Sequence, residues 1–351
     1  MTHQLCHHHY PCRCFFVPPH VLDNLAKAGV STARNTIQQG EVSRTQRASK
    51  ITGMDVFAGT GIAPAGEAPR KIYDCQNSWV KRVSLAREEG GPETADSAVN
   101  NAYDYIGTVR EFFIERLERN SWDNVGSDLF VNVHFGTNYN NAFWDGDEIT
   151  LGDGDGNIFT GFDKSLEVLA HELAHGVVQA TANLVYRGQP GALNEHFADV
   201  FGSLVVQYHL QQTAEEADWL IGNEIMGPTL FGESLRSMAA PGTAYDNALM
   251  GRDPQPDHMD NYYPGPADNY GVHINSGIPN KAFYLTAMDI GTDNAGKIWY
   301  HALQNLWATA DFNAAVARFV ESARILVKDK KVPPASTQTV RAAFRAVGLP
   351  R

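Results

Sequence analysis

The feature that most constrains the fold is the pentad His171-Glu172-Leu173-Ala174-His175, which lies in an apolar segment predicted to be a helix over 165–182. At ~3.6 residues per turn, positions four apart project from the same helix face. The two imidazoles can therefore bind one zinc ion, and Glu172 beside them is placed to act as a base. The alternative is a chance pattern on a buried helix, although burying these side chains without partners is costly.

A catalytic zinc takes three protein ligands, and Glu195 is the third candidate. It follows the second histidine by 20 residues and lies at the start of the next predicted helix, 191–211. Asp199 follows one turn later, so we expect it to hydrogen-bond the outer nitrogen of a ligand histidine. The alternative for Glu195 is a first-turn acid favoured by the helix dipole. The elongated metzincin motif is excluded, because it needs Gly and His where this chain has Val178 and Thr181.

Composition separates an N-terminal segment from a compact remainder. A short helical pattern, Val21–Leu25–Ala28, follows a double proline, polar sequence runs over 31–50, and Ala58–Pro69 is an Ala/Gly/Pro-rich linker. Beyond Lys71 a β-rich half precedes a helical half. The predicted strands are 72–85 and 129–135, with 140–144 as an edge or turn and 149–160 as a loop; the predicted helices are 98–119, 165–182, 191–211, 275–289, 293–309, 311–327 and 337–347.

Charge and targeting signals narrow the functional classes. The net charge of −12 repels phosphate backbones, so we expect no nucleic-acid partner. No apolar run approaches the ~18 residues that a membrane span needs. The N-terminus lacks the basic start and apolar stretch of a secretory signal. We therefore expect a protein that is cytoplasmic as synthesised and that either stays inside or is secreted by a non-standard route.

With further motifs, these residues make the sequence resemble the thermolysin-type neutral metalloproteases over roughly 71–351. Over 1–50 the resemblance is to the protealysin-like branch, through Val17-Pro18-Pro19-His20-Val21-Leu22. It implies an α+β, two-lobed zincin fold with the zinc cleft between a β-rich N-terminal lobe and an α-helical C-terminal lobe. The implied division is a propeptide and linker at 1–70, the N-terminal catalytic lobe with the H-E-x-x-H helix at 71–185, and the C-terminal lobe at 186–351.

The resemblance also implies roles for individual side chains. Tyr186 and His273 would stabilise the tetrahedral intermediate, with Asp268 orienting His273. Taken singly, Tyr186 could instead be a packed surface aromatic and His273 a core histidine. The implied substrate-binding groups are the Asn141 side chain, the Ala142 carbonyl, Arg236 on the substrate carbonyl, and Val168 and Leu235 as walls of the apolar pocket for the residue after the scissile bond.

The resemblance and the residue chemistry together predict a hydrolase, namely a zinc metalloendopeptidase with one catalytic zinc. The resemblance also implies that the enzyme is secreted. Peptide hydrolysis needs a base, for which Glu172 is present, and groups that stabilise the oxyanion. We expect protein or peptide substrates, cleavage on the amino side of bulky hydrophobic residues and a monomer. The alternatives are a catalytically silent zinc-scaffold binding protein and a zinc aminopeptidase.

We expect no full double calcium site; the alternative is a weak single site at Glu167 and Asp218. The positions that match the double calcium site of thermolysin hold Glu167, Val206, Asp218, Leu220 and Asn223. Calcium needs 6–8 oxygen ligands, and only Glu167 and Asp218 remain as acids there. The stretch Asp153–Asn157 lacks the EF-hand spacing and is better interpreted as a polar turn.

The N-terminal segment predicts latency, with the propeptide as an intramolecular inhibitor. Pro18 and Pro19 would fix an extended backbone along the cleft that presents a poorly cleavable bond. Cys12 or Cys14, just upstream, could place a thiolate on the open position of zinc. The alternatives for this Cys/His-rich stretch are a zinc-scavenging tract and a disordered tail.

Overall fold

The computed structural model describes residues 14–51 and 67–350, and the side chains of 43–51 are outside the description. The helices are α1 Pro19–Lys27, α2 Ser31–Ile51, α3 Ser97–Leu117, α4 Leu166–Ala180, α5 Gly188–Leu210, α6 Ala267–Asn275, α7 Gly277–Ile290, α8 Thr292–Leu303, α9 Phe312–Lys328 and α10 Ser336–Ala346. The strands are β1 Arg70–Asp74, β2 Ser84–Glu88, β3 Leu129–Val133, β4 Ala142–Trp144, β5 Glu148–Leu151, β6 Leu220–Ile221, β7 Arg236–Ser237, β8 Asp246–Asn247 and β9 Gly251–Arg252.

Five strands form one mixed sheet in the order β2-β1-β3-β5-β4. β3 pairs in parallel with both β1 and β5, while β4 pairs antiparallel with β5 and lies at the sheet edge. The prediction of one strand-like segment over 72–85 is wrong, because β1 ends at Asp74 and β2 begins at Ser84, with turns between them. The edge position of β4 leaves its backbone groups available to another extended segment.

The pentad lies on α4, a helix that is buried along most of its length. Its start is capped by Ser165, whose side chain accepts a hydrogen bond from the Val168 backbone N–H. α5 begins at Gly188 rather than at 191, so Glu195 is its eighth residue. Glu195 is therefore not a first-turn acid, and its burial in the helix interior needs another explanation.

Helix α2 forms in the stretch that the sequence marked only as polar. Ala33, Thr36 and Gly40 are its buried positions within the part whose side chains are described. They recur at i, i+3 and i+7, which is helical spacing, but they are small or polar. An apolar periodicity therefore could not reveal this helix.

Two described segments on either side of the linker share one hydrophobic core. Phe16, Val17, Val21, Leu22 and Leu25 are buried in the same cluster as the sheet and the helices. We refer to residues 14–51, the described part of the segment that the sequence predicts to be a propeptide, as the prosegment. No helix within 14–51 or 67–350 has the length and apolar character needed to cross a membrane.

Candidate active site

α4 and α5 bring together three buried groups that can hold a metal ion, on His171, His175 and Glu195. The two Nε2 atoms are 3.1 Å apart, and each lies 3.6 Å from a Glu195 carboxylate oxygen. Tetrahedral zinc with bonds of ~2.0–2.1 Å separates its ligand atoms by ~3.4 Å, so these distances fit zinc. Glu195 Oε2 is buried and has no hydrogen-bond donor, as expected of a metal ligand.

Each ligand histidine has a polar partner for its outer nitrogen. His171 Nδ1 is 3.1 Å from Asp199 Oδ1, the contact that the sequence predicts for Asp199. His175 Nδ1 is 2.8 Å from Asn194 Oδ1, a partner that sequence reasoning did not single out. The Asn194 amide in turn donates to the Leu184 carbonyl, 3.2 Å away. These contacts fix the ring orientations and leave both Nε2 atoms for the metal.

Asp199 and Arg236 form a buried bidentate pair, with N–O distances of 2.9 and 2.8 Å. Although burial opposes ionisation, the Arg236 charge and the contact with His171 keep the pKa of Asp199 below its usual range. Burial likewise acts against the charge of Arg236, but Asp199 raises its pKa. Arg236 is thus held as a fixed cation beside the zinc ligands.

Tyr186, His273 and Asp268 lie together beside the zinc centre. Tyr186 Oη is 3.2 Å from His273 Nε2 and donates a short hydrogen bond to Glu195. Burial and the charges of Glu195, Asp268 and Glu172 raise the pKa of Tyr186 well above its usual value, so its hydroxyl keeps its proton. His273 Nδ1 is 2.6 Å from Asp268 Oδ1. Burial lowers the pKa of His273, but the Glu195 and Asp268 carboxylates outweigh it and raise that pKa to about 9.

A left-handed turn places Asp268 against His273. Asp268, Asn269, Tyr270 and Gly271 all have φ between 50° and 76°, and three of them are not glycine. Such a run is strained for L-residues. It lets the Asp268 carboxylate accept hydrogen bonds from the backbone N–H groups of both His273 and Ile274, at 2.7 and 3.2 Å.

Residues 15–17 of the prosegment lie along edge strand β4. The Phe16 N–H donates to the Ala142 carbonyl at 3.1 Å. The Val17 N–H donates to Asn141 Oδ1 at 2.8 Å, and Asn141 Nδ2 is 3.3 Å from the Val17 carbonyl. Asn141 and Ala142, predicted as substrate contacts, thus bind the backbone of residues 16 and 17 in this structure.

Of the remaining predicted substrate groups, Arg236 and Leu235 lie close to Phe16, and Val168 belongs to the same hydrophobic core. Arg236 Nη1 donates to the Phe16 carbonyl at 3.3 Å. The Phe16 side chain is fully buried in the cluster that also contains Val168 and Leu235. Leu235 and Phe16 both approach Gly222 so closely that a Cβ there would lie 2.9 and 3.1 Å from their side chains. The Phe16 ring centroid is 5.0 Å from that of His171. An apolar pocket therefore adjoins the zinc centre.

Two latency predictions need correction. Pro18 is extended, with φ −61° and ψ 146°, but Pro19 begins α1, so the two prolines do not form one extended segment along the cleft. The ring of a proline suits the first turn of a helix, which explains this change. Cys14 is buried against Tyr186 and Val272, and its sulfur is in a disulfide, so it offers no thiolate to zinc. Cys12 lies outside the described residues, as do linker residues 58–66.

The calcium candidates Glu167 and Asp218 line a small cavity of about 120 Å³. Glu167 Oε2 accepts the Gly222 N–H at 2.7 Å, and burial raises the pKa of Glu167 well above its usual value. Asp218 accepts from the Leu220 N–H and from the Asn223 amide, both at 3.1 Å. Within the described parts of the chain, neither belongs to a group of three side chains that could hold a metal.

Comparisons with known proteins agree with this geometry. The sequence family described as the catalytic domain of thermolysin metallopeptidase matches residues 39–179. Its alpha-helical domain matches residues 182–349. The two matches meet between α4 and α5, the helices that carry the zinc ligands.

Individual relatives match nearly the whole chain. An extracellular metalloprotease of Pectobacterium carotovorum subsp. carotovorum is 44% identical over 322 residues, which cover 88% of this chain and 90% of that protein. Protease PrtS of Photorhabdus sp. (strain Az29) is 43% identical over 296 residues, covering 82% and 80%. The solved precursor of protealysin from Serratia proteamaculans superposes with a TM-score of 0.83 at 41% identity, covering 96% and 100%.

The predicted location is wrong in the light of these relatives. We expected a protein that is cytoplasmic as synthesised, whereas the Pectobacterium relative is named an extracellular protease.

Proposed function

The chain belongs to the thermolysin family of metallopeptidases and is a zinc metalloendopeptidase; on that premise we propose that it is made as a latent precursor and that the enzyme cuts on the amino side of bulky hydrophobic residues. The observation that carries the proposal is the set of backbone contacts that residues 15–17 make with Asn141, Ala142 and Arg236.

Several predictions from the sequence are confirmed at this level. The family resemblance, the two-lobed α+β fold, the hydrolytic activity and the catalytic zinc all agree with the family matches and with the protealysin precursor. Neither alternative function, a silent binding protein or an aminopeptidase, is favoured by relatives that are named proteases.

The proposed roles follow from the placement of the side chains. Zinc, when held by His171, His175 and Glu195, polarises the substrate carbonyl and lowers the pKa of a water molecule towards ~7. Glu172, the residue after His171 and fully buried, takes the proton of the attacking water and passes it to the leaving amine. His273 and Tyr186 donate to the carbonyl oxygen as it gains negative charge.

The proposed specificity rests on the pocket that holds Phe16. Burying an aromatic or aliphatic side chain there gains ~1.5–3 kcal/mol over leaving it exposed. A charged side chain in the same place would lose its hydration without a partner. A peptide-library profile that prefers charged residues after the cut would contradict this specificity.

We propose the division of the chain that the sequence predicts: 1–70 as removable propeptide and linker, 71–185 as the N-terminal catalytic lobe and 186–351 as the C-terminal lobe. The substrates are proteins or peptides, the propeptide is an intramolecular inhibitor, and the enzyme is a monomer. Pro18 and Pro19 serve latency by ending the extended segment and starting α1.

Purified full-length protein, incubated with casein and followed by mass spectrometry of its N-terminus, tests the proposal. Casein hydrolysis should rise as a species beginning between about Ile51 and Lys71 appears, and a zinc chelator should abolish it. A full-length form that stays uncut and is already fully active would refute latency. Analytical ultracentrifugation checks the monomer.

A further inference from the structure

We propose that the prosegment is also a substrate of the mature enzyme, and that the bond cut is the peptide bond between Phe15 and Phe16. This inference rests on the proposed function, because it requires an active peptidase that prefers apolar residues after the cut. Beyond that function, the inference names the bond that is cut and the consequence of the cut, which is the loss of the inhibitor.

The direction of the backbone in the cleft identifies the bond. The Phe15 carbonyl oxygen lies 3.0 Å from His273 Nε2, one of the two groups assigned to the scissile carbonyl. The next peptide unit is held from both sides, since the Phe16 N–H donates to Ala142 and its carbonyl accepts from Arg236. The Phe15–Phe16 bond therefore lies between the oxyanion donors and the groups that bind the residue after the cut.

The side chains on either side of this bond occupy two separate apolar subsites. Phe16 is fully buried beside Leu235 and the His171 ring. Phe15 belongs to a second aromatic cluster, and its ring centroid is 5.6 Å from that of Phe143. Two filled subsites and an in-register backbone are what a good substrate provides.

The proposed step is an ordinary hydrolysis. Water adds its oxygen to the Phe15 carbonyl carbon, the C–N bond breaks, and the amine of Phe16 leaves with the proton delivered by Glu172. The products are a carboxylate on Phe15 and a free amino group on Phe16. No oxidant or further reactant is needed.

In the intact precursor the chain is held in place on both sides of the Phe15–Phe16 bond. A cut there therefore does not release the prosegment. Downstream, α1 buries Val21, Leu22 and Leu25, and Asn24 Nδ2 donates to the Met250 carbonyl at 2.7 Å. Upstream, Phe15 is anchored in its aromatic cluster. The new ends would remain side by side, so the bond can close again and the cleft stays blocked.

After the linker is cut, the prosegment can dissociate from the catalytic part of the chain. Each fragment produced from it by the second cut makes only part of the original contacts. Rebinding is therefore weaker after the cut than before it, because contacts of one continuous segment act at high effective concentration. Cleavage at Phe15–Phe16 thus makes activation irreversible.

The test follows full-length protein during activation in H₂¹⁸O, with peptide mapping by mass spectrometry. We expect fragments that end at Phe15 and begin at Phe16, with ¹⁸O in the new Phe15 carboxylate. They should accumulate after cleavage of the linker. Full-length Glu172→Gln, treated in the same way, should yield neither fragment.

A matched pair of variants tests the subsite assignment. Phe16→Leu keeps an apolar side chain and should be cut at the same bond, whereas Phe16→Asp should slow this cut at least about tenfold because the charge must enter an apolar pocket. Casein activity of the separated mature enzyme is the common reference, since its sequence is the same in both.

Two outcomes distinguish a failure of this inference from a failure of the proposed function. The inference is wrong, and the proposed function stands, if casein is hydrolysed while the Phe15–Phe16 bond stays intact. The same holds if this bond is cut as fast in Phe16→Asp as in the wild type. If casein is not hydrolysed at all by zinc-loaded protein without its prosegment, both fall.

Discussion

Both ligand histidines are held by a polar partner on the side away from the metal. Asp199 lies against His171 and Asn194 against His175, at 3.1 and 2.8 Å. Asp199 could be predicted because it follows Glu195 by one helical turn. Asn194 was not predicted, because the only signal in the sequence was an amide next to a candidate ligand.

Replacement of Glu172 by Gln should abolish most proteolysis while zinc stays bound. Gln keeps the size of Glu but cannot accept a proton, and general-base catalysis contributes typically ~10²–10⁴-fold. Casein hydrolysis and zinc content by elemental analysis are the two measurements. Wild-type activity with equal zinc would show that Glu172 is not the base; loss of zinc would show that it has a structural role instead.

Prosegment release should accelerate as the pH falls below about 6.5, because of His20. The imidazole Nε2 is 3.1 Å from Tyr245 Oη, and Nδ1 is buried without a hydrogen-bond partner. Burial lowers the pKa of His20 to about 4, Asp268 opposes the shift, and His273 and Arg236 add to it. The docked form thus favours the neutral ring, and the released form the charged ring.

The sign and the window of this effect follow from linkage. Above the ordinary pKa of 6.5 both forms are neutral and docking has its full strength. Between 6.5 and about 4 only the released form takes up the proton, which weakens docking by at most ~10-fold per pH unit and less for a partly exposed ring. Below about 4 no further loss occurs.

The measurement is incubation across this range followed by a casein assay at one neutral pH. Wild-type protein should gain activity faster at lower pH, and His20→Gln, which has no proton to gain, should lose this dependence. Equal pH profiles for the two proteins would rule out His20 as the cause.

Helix α2 packs against the rest of the chain through small residues. Thr36 is buried, and its Oγ1 accepts the Asn140 backbone N–H at 3.0 Å. Thr32 Oγ1 donates to Asp155 at 2.6 Å. Gly40 brings α2 close to the Phe15 ring, since a Cβ there would lie 3.4 Å from Phe15 Cζ. The helix thus supports the segment in the cleft.

Thr36→Val should weaken docking of the prosegment. Valine has the same shape but leaves the buried Asn140 N–H without an acceptor, which costs ~1–3 kcal/mol. We expect a shorter half-time of activation, measured by casein hydrolysis. Gln38→Ala, an exposed position of the same helix, is the control. Equal half-times for Thr36→Val and the wild type would show that this hydrogen bond does not contribute.

At the scale of the whole molecule, the prosegment and the catalytic lobes share one hydrophobic core. A cavity of about 830 Å³ is bordered by Glu111, Tyr208 and Asp293 and is lined by none of the zinc ligands. The cleft beside the zinc ligands is occupied by residues 15–17, whose backbone contacts Ala142, Asn141 and Arg236. If the proposed latency is correct, removing the prosegment would open this cleft to substrates.

Stability of the whole molecule should depend little on calcium. Glu167 and Asp218 are already engaged by backbone and amide donors, and Val206 and Leu220 offer no oxygen from their side chains. Loss of a ligand present at 1,000 times its Kd would cost ~4.1 kcal/mol. We expect calorimetry with a calcium chelator and added zinc to show a Tm shift of less than ~3 °C. A drop of tens of degrees would establish a strong calcium site.

The histidine pair that can bind zinc, the candidate base Glu172 and most helices of the chain could be predicted from the sequence, because they depend on local helical spacing. Which backbone fills the cleft, and in which register, became clear only from the folded chain. Asn141 and Val17 meet across 124 residues, and Phe15 and His273 across 258, and no local period encodes such contacts. Similarly, α2 is held in place by small and polar residues. Cys14 cannot bind zinc as a thiolate because its sulfur is in a disulfide. These outcomes depend on shape complementarity between distant surfaces, which forms only when the chain has folded.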